Sequence, residues 1–365
     1  MNEHIHAKNY HEQVNIENTL KMREVIATLP PFCRDFFYGI KETTSSRTRL
    51  AYAYDMRVFF EFLHETNPVC AKIEITDFPL SILDQIMPVD ITEYLEYLTY
   101  YEKDGKEYTN DERGKSRKLA CLRSFYNFYF RNEMIEKNPA ALVQMPKLHQ
   151  KEIIRLDPNE VAILLDQVEQ GTNLTEKQTE YHKKTKVRDL ALLTLLLGTG
   201  IRVSECVGLD MKDVDFNNGG ILIRRKGGYE AVVYFGVEVE QALRDYLDQR
   251  RHIIPESGHE EALFLSLQNK RIGVRTVEKL VKKYAETVTT LKKITPHKLR
   301  STYGTSLYRE TGDIYLVADV LGHKDVNTTK KHYAALEDER RRQAASAVTL
   351  RESLNDKNKN HKNED

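Results

Sequence analysis

Three short strings in the second half of the chain concentrate side chains suited to phosphate chemistry: GTGIRVSE (Gly198 to Glu205), TPHKLRSTYGTSL (Thr295 to Leu307) and LGHKDVNTTKKHY (Leu321 to Tyr333). Between the first and the second stands Lys226, in the run Arg225-Lys226-Gly227-Gly228. Breaking a phosphodiester without water or metal requires a side-chain nucleophile, cations facing the non-bridging oxygens and an acid for the leaving oxygen. Arg202, Lys226, His297, Arg300, His323 and Tyr333 supply all three kinds of group. Each arginine offers a planar fork of paired donors whose charge is permanent, which suits it to a phosphate. His297 lies three positions before Arg300, so on a helix both fall on one face and can reach one phosphate. Glu205, three residues after Arg202, reads as an orienting group rather than a reacting one. Singly, each residue has an ordinary explanation: Arg202 as a solvated loop residue, His297 as a cap after Pro296, His323 as a turn histidine, Tyr333 as one of 20 tyrosines. Their joint occurrence at compatible spacings carries the reading.

In this order and in these contexts, the strings resemble the catalytic domain of the tyrosine recombinase (phage integrase) family. The family pattern is an Arg in a G-x-R-x-S-E turn, a hairpin Lys, H-x-x-R, a His in L-G-H and a Tyr that follows. The resemblance implies that Tyr333 attacks phosphorus to give a 3′-phosphotyrosine and that Lys226 protonates the departing 5′ oxygen, with His323 the rival for that role. It further implies strand exchange without metal, ATP or any cofactor, on double-stranded DNA with an inverted-repeat site, within a homotetramer. The stretch before Pro30, DFPLSILDQI (Asp77 to Ile86), RKGG and PHKLR look most like the single-protein Xer-type recombinases that resolve chromosome dimers, for which a DNA translocase is the expected partner. Integrases and transposases of mobile elements share the chemistry, and a type IB-like topoisomerase is a further alternative. Two departures stand out: Ser301 follows the second arginine where many members carry His or Ala, and Tyr229-Glu230 replaces a common basic pair.

The elements that must position these residues can be read from periodicity and breakers. Thr43 to Glu65 carries apolar residues near helical spacing behind a Ser/Thr start. Asp90 to Tyr101 and Gly114 to Arg131 read as further helices, and PFCRDFFYGIKE as a short one. Arg113 just before the last of the long helices, and Lys115, Arg117, Lys118, Arg123 and Arg131 within it, have no acidic residue among them, so either a solvated face or a face along phosphates is expected. Asn138-Pro139 ends that run, and Asp157-Pro158 opens the next helix. Lys186 to Leu197 reads as a helix, followed by a turn at Gly198 to Gly200 and another helix from Val203. Strands Ile221 to Arg224 and Tyr229 to Phe235 flank the Lys226 turn as a hairpin.

The resemblance extends to this first half, where Ser45 to His64 and Lys115 to Arg131 are similar to the core-binding domain that clamps DNA. Arg47, Arg49, Arg57, Lys115, Arg117, Lys118 and Arg123 are then the expected DNA contacts. The implied architecture is mainly α with a small β-hairpin or sheet, in a two-domain C-shaped clamp. It divides into a leader (1–30, weakly ordered or docked), a helical core-binding domain (31–145), a linker (146–155), a mixed α/β catalytic domain (156–354) and a disordered tail (355–365). An amphipathic helix within Leu336 to Leu354 suits docking in trans onto a neighbouring subunit.

Composition sets the outer bounds. At roughly 150 residues per domain, 365 residues suggest two or three domains. The 55 basic residues balance 55 acidic ones, so total charge is silent about a nucleic-acid partner. Nothing approaches the roughly 18 apolar residues of a membrane span. The first residues lack the basic start and apolar stretch of a secretory signal, and Cys33, Cys70, Cys121 and Cys206 lack metal or redox spacing, so a reducing cytoplasm is expected. His4, His6 and His11, and the pair His323 and His332, lack the companions of a metal site.

Overall fold

The computed structural model describes residues 10–149, 154–225, 228–323 and 325–326. The chain divides into two compact units, Met1–Lys151 and Glu152–Asp365.

In the first unit, helices α1 (Tyr10–Ile26), α2 (Cys33–Gly39), α3 (Ser46–Thr66), α4 (Ile82–Gln85) and α5 (Pro88–Tyr97) precede strands β1 (Tyr100–Lys103) and β2 (Lys106–Thr109), followed by α6 (Glu112–Arg131) and α7 (Pro139–Leu142). Helix α3 starts where Ser45 accepts the Thr48 N–H, and α6 where Asp111 accepts the Gly114 N–H. Their apolar faces meet in an aromatic core of Phe32, Phe36, Phe59, Phe60, Phe125, Tyr126 and Tyr129. Edge-to-face contacts run through it, Phe36 on Phe125 at 5.2 Å and Phe125 on Tyr129 at 5.0 Å. The hydroxyls of Tyr126 and Tyr129 donate to the carbonyls of Leu83 and Phe32, so buried rings also tie elements together.

One open alternative is decided and one expectation corrected in this unit. Residues of the supposed leader form α1, which packs on α3 and contributes Val25, Ile26 and then Leu29 to the core; Ser46 Oγ donates to Asn15 Oδ1 at 2.7 Å. The helix expected over Asp90 to Tyr101 ends at Tyr97, because Tyr100 begins a strand paired antiparallel with β2. Its two-residue turn, Asp104-Gly105, has positive φ at both positions, the geometry Asp-Gly favours in tight hairpins.

The second unit runs α8 (Pro158–Gln170), α9 (Glu176–Thr199), α10 (Val203–Val207), strands β3 (Val214–Asp215), β4 (Gly220–Arg224) and β5 (Glu230–Tyr234), then α11 (Val237–Arg250), α12 (Val274–Ala285), α13 (Pro296–Thr311) and α14 (Ile314–Leu321). Helix α9 is its axis. The run Ala191, Leu192, Leu193, Leu195, Leu196 is buried on every side, as expected for a helix with neighbours all round, here α8, α11 and α13. It starts ten residues before Lys186, at Glu176, under a capping box in which Thr175 and Gln178 hydrogen-bond each other's backbone N–H. The β3-β4-β5 sheet is antiparallel, with Arg224 opposite Glu230 at the end of the β4–β5 hairpin. Among the described residues no helix is long and apolar enough to cross a membrane. Expectations for Leu336 to Leu354 and for the tail lie outside the described residues.

Candidate active site

Four of the six candidate catalytic residues lie among the described residues, all in the second unit. Helix α9 ends at Gly200, whose φ of +63° is the left-handed conformation that terminates helices. A Cβ at Gly200 would stand 2.3 Å from the Tyr303 ring and 3.0 Å from Leu321, so only glycine lets α13 and α14 close on this turn. The chain then buries Ile201 and turns Arg202 into the N-cap position of α10. Glu205, 4% exposed, holds Arg202 twice: its carboxylate accepts the backbone N–H at 2.7 Å and Nη1 at 2.8 Å. The expected orienting role of Glu205 is what the geometry provides. The Arg202 side chain remains 39% exposed, fixed at one edge and open at the other.

Arg300 and His297 both stand on α13, whose Pro296 occupies the first turn. Arg300 is 5% exposed and donates to two helix ends at once, Nη1 to Gly200 O at 2.6 Å and Nη2 to Leu321 O. Carbonyls at helix C-termini carry partial negative charge, so they orient a buried guanidinium without cancelling its unit charge. His297 is exposed. His323 follows Gly322, the left-handed C-cap of α14. The Gly322 N–H donates to Asp319 O and the His323 N–H to Ala318 O, both at 2.8 Å. That pair of bonds is a Schellman motif. The L-G-H string is therefore a helix stop that fixes the backbone of His323. Arg202 Nη2 reaches Gly322 O at 3.5 Å, so the two arginines address consecutive carbonyls, Leu321 and Gly322, beside His323.

This cationic cluster lies inside the stretch, residues 155–340, that matches the sequence pattern of the phage integrase family. The chain belongs to that family. It is a tyrosine recombinase, an enzyme of site-specific DNA cleavage and rejoining. It is 32% identical over 334 residues to the tyrosine recombinase XerC of Caldanaerobacter subterraneus subsp. tengcongensis, covering 88% of this chain and 87% of that one. With the XerC of Leptospira interrogans it shares 30% identity over 295 residues, 80% and 85% of the two chains. Its fold is similar to that of XerH site-specific recombinase bound to palindromic difH substrate, with a TM-score of 0.60 at 20% identity over 80% of this chain and 77% of that one. The Tn1549 transposon integrase in complex with circular intermediate DNA gives a TM-score of 0.59 at 21% identity, over 83% and 95%.

The other two candidates, Lys226 and Tyr333, lie outside the described residues. Cys206, next to Glu205, is fully buried, and burial pushes its thiol well up, so it stays protonated beside the site. Among the described residues no three His, Cys, Asp or Glu side chains gather as metal ligands.

The expected DNA contacts sit in the first unit and divide by environment. Arg47 is exposed on the first turn of α3. Arg57 lies 3.9 Å from Glu61 and over the Tyr54 ring, and Lys115 donates to Thr99 Oγ1. Arg49 donates to the carbonyls of Lys41 and Thr44, and Arg123 to those of Ala140 and Val143, so both tie chain segments together. Arg117 and Lys118 both pair with Asp55 on α3; Lys118, 7% exposed, faces the core. The basic run is thus not one continuous solvent face. Its inward half answers an acid that the apolar periodicity of α3 concealed.

Proposed function

We propose that this recombinase binds double-stranded DNA and exchanges strands at a specific inverted-repeat site within a homotetramer, in the manner of the Xer-type enzymes that resolve chromosome dimers. Arg202 and Arg300 face the non-bridging oxygens of the scissile phosphate, His297 and His323 add hydrogen bonds, and Tyr333 attacks phosphorus. As the P–O5′ bond breaks, Lys226 gives its proton to the 5′ oxygen, and the bond energy is retained in a 3′-phosphotyrosine. A free 5′-hydroxyl on the partner strand then attacks that linkage, so rejoining draws on neither ATP nor metal. The observation that carries the reading is the convergence of Arg202, Arg300 and His323 on the C-terminal end of α14. The XerC relatives, alike along most of their length, favour chromosome dimer resolution over mobile-element transfer.

A library of nicked random-sequence duplexes, incubated in EDTA without ATP, tests it. The protein is expected to trap covalently a subset that shares an inverted repeat. Adducts that form only with Mg²⁺ would move the chain to another chemistry. Adducts without sequence preference, together with relaxation of supercoiled plasmid, would make it topoisomerase-like.

A further inference from the structure

We infer that Arg225 is a positioning residue for cleavage, pinning the β4–β5 hairpin to the C-terminal end of α14 and acting on the reaction through the lysine that follows it. The inference rests on the reading of Lys226 given above. Arg225 itself was passed over in the sequence, where it reads as the flank of a glycine turn.

Its guanidinium crosses from the hairpin to a helix 94 and 95 residues away in sequence, where Nη2 donates to Val320 O at 2.9 Å and Nη1 lies 3.4 Å from Asp319 O. With Arg300 on Leu321 and Arg202 on Gly322, three guanidiniums occupy four consecutive carbonyls of one helix end. Such convergence is costly for like charges unless a negative pole lies at its centre, and the C-terminus of α14 supplies one. The fit is close. A Cβ on Gly322 would fall 1.8 Å from Arg225 Nη1, so the glycine of L-G-H serves the Schellman stop and also leaves room for this side chain. Arg225 Nε is buried with no hydrogen-bond partner among the described residues, so burial there is not explained by a bond of its own.

The backbone of Arg225 is held as firmly as its side chain. Its N–H donates to Tyr229 O at 2.7 Å, and its carbonyl accepts the Gly228 N–H at 3.1 Å. One residue earlier, Arg224 pairs with Glu230 at 3.1 Å and with Asp213 at 3.5 Å. The hairpin is therefore braced at its last strand pair by Arg224 and moored one residue nearer the turn by Arg225. Chain connectivity then obliges residue 226 to leave from a point fixed against α14. Fixing the residue before the lysine narrows the range of conformations from which an ammonium must find the leaving oxygen.

The test compares Lys226→Ala, Arg225→Ala, Arg225→Lys and the Arg225→Ala/Lys226→Ala double variant in single-turnover cleavage of ordinary DNA and of DNA with a bridging 5′-phosphorothiolate. A thiolate leaves without a proton, so a defect in leaving-group protonation disappears on the second substrate. Arg225→Ala is expected to bind DNA normally and to slow cleavage of ordinary DNA by about tenfold or more, with most of the loss restored on the phosphorothiolate. The double variant should be no slower than Lys226→Ala alone, and Arg225→Lys should recover only part of the rate, since one ammonium cannot span two carbonyls. Losses that multiply in the double variant, an Arg225→Ala defect equal on both substrates, or no defect at all would each overturn the inference. If Lys226→Ala is itself not restored, the acid assignment fails, and the double variant still decides whether Arg225 acts through Lys226.

Discussion

A guanidinium that touches the scissile phosphate fails differently according to how it is held. Arg300 is buried between two helix ends, so Arg300→Lys loses the fork that spans Gly200 O and Leu321 O and retains only a point charge. Cleavage by Arg300→Lys should fall by about 10²-fold or more, the usual cost of one lost donor at a developing oxyanion, while DNA affinity changes little. Arg202 is instead held by Glu205, so Glu205→Gln should slow cleavage more mildly, because the amide oxygen can still accept one of the two bonds. Single-turnover rates read against filter-binding affinities check both; wild-type cleavage by Arg300→Lys would contradict the bidentate role. The candidate arginines and His323 stand out in the sequence because their strings place unusual residue types at fixed spacings. Arg225 does not, since its role depends on a contact made across 94 and 95 residues of sequence.

Elements whose apolar spacing is regular, α3, α6 and α8, could be read from the sequence to within a few residues. The polar first half of α9 and the β1–β2 hairpin could not. EKQTEYHKKT shows no apolar stripe, and its helical state comes from the capping box and from tertiary contacts such as His182 Nε2 with Val168 O at 2.7 Å. In YYEKDGKEYT the charged residues hide the strand alternation, so the Asp-Gly turn was the remaining signal. Asp55 shows the same limit from the core side, because a lone acid in an apolar helix face gives no sign of the cations it will meet. Removing it strands the buried Lys118 ammonium, so Asp55→Ala should destabilise the protein by about 3 kcal/mol or more. The double variant Asp55→Leu/Lys118→Met should recover much of that loss, since apolar packing can replace a buried pair. Denaturant unfolding of the wild type and both variants gives the answer, and a double variant no more stable than Asp55→Ala would contradict it.

At the scale of the molecule, the sequence pointed to two structural units, and the chain divides at Lys151/Glu152. The described catalytic residues fall in the second unit, and the basic run on α6 falls in the first. All four cysteines are buried, and burial raises each thiol above its ordinary range, so none competes with a phenolic nucleophile. In the proposed reaction a tyrosine, served by the Arg202 and Arg300 pair, carries the DNA strand from cleavage to rejoining. The most direct measurement is to trap the covalent complex on a nicked duplex, digest both components and locate the nucleotide-bearing peptide by mass spectrometry, for the wild type and for Tyr333→Phe. A 3′-nucleotide on Tyr333 is expected in the wild type and no adduct in Tyr333→Phe, which should still bind DNA. A nucleotide on any other residue, or an adduct that survives in Tyr333→Phe, would contradict the proposed reaction.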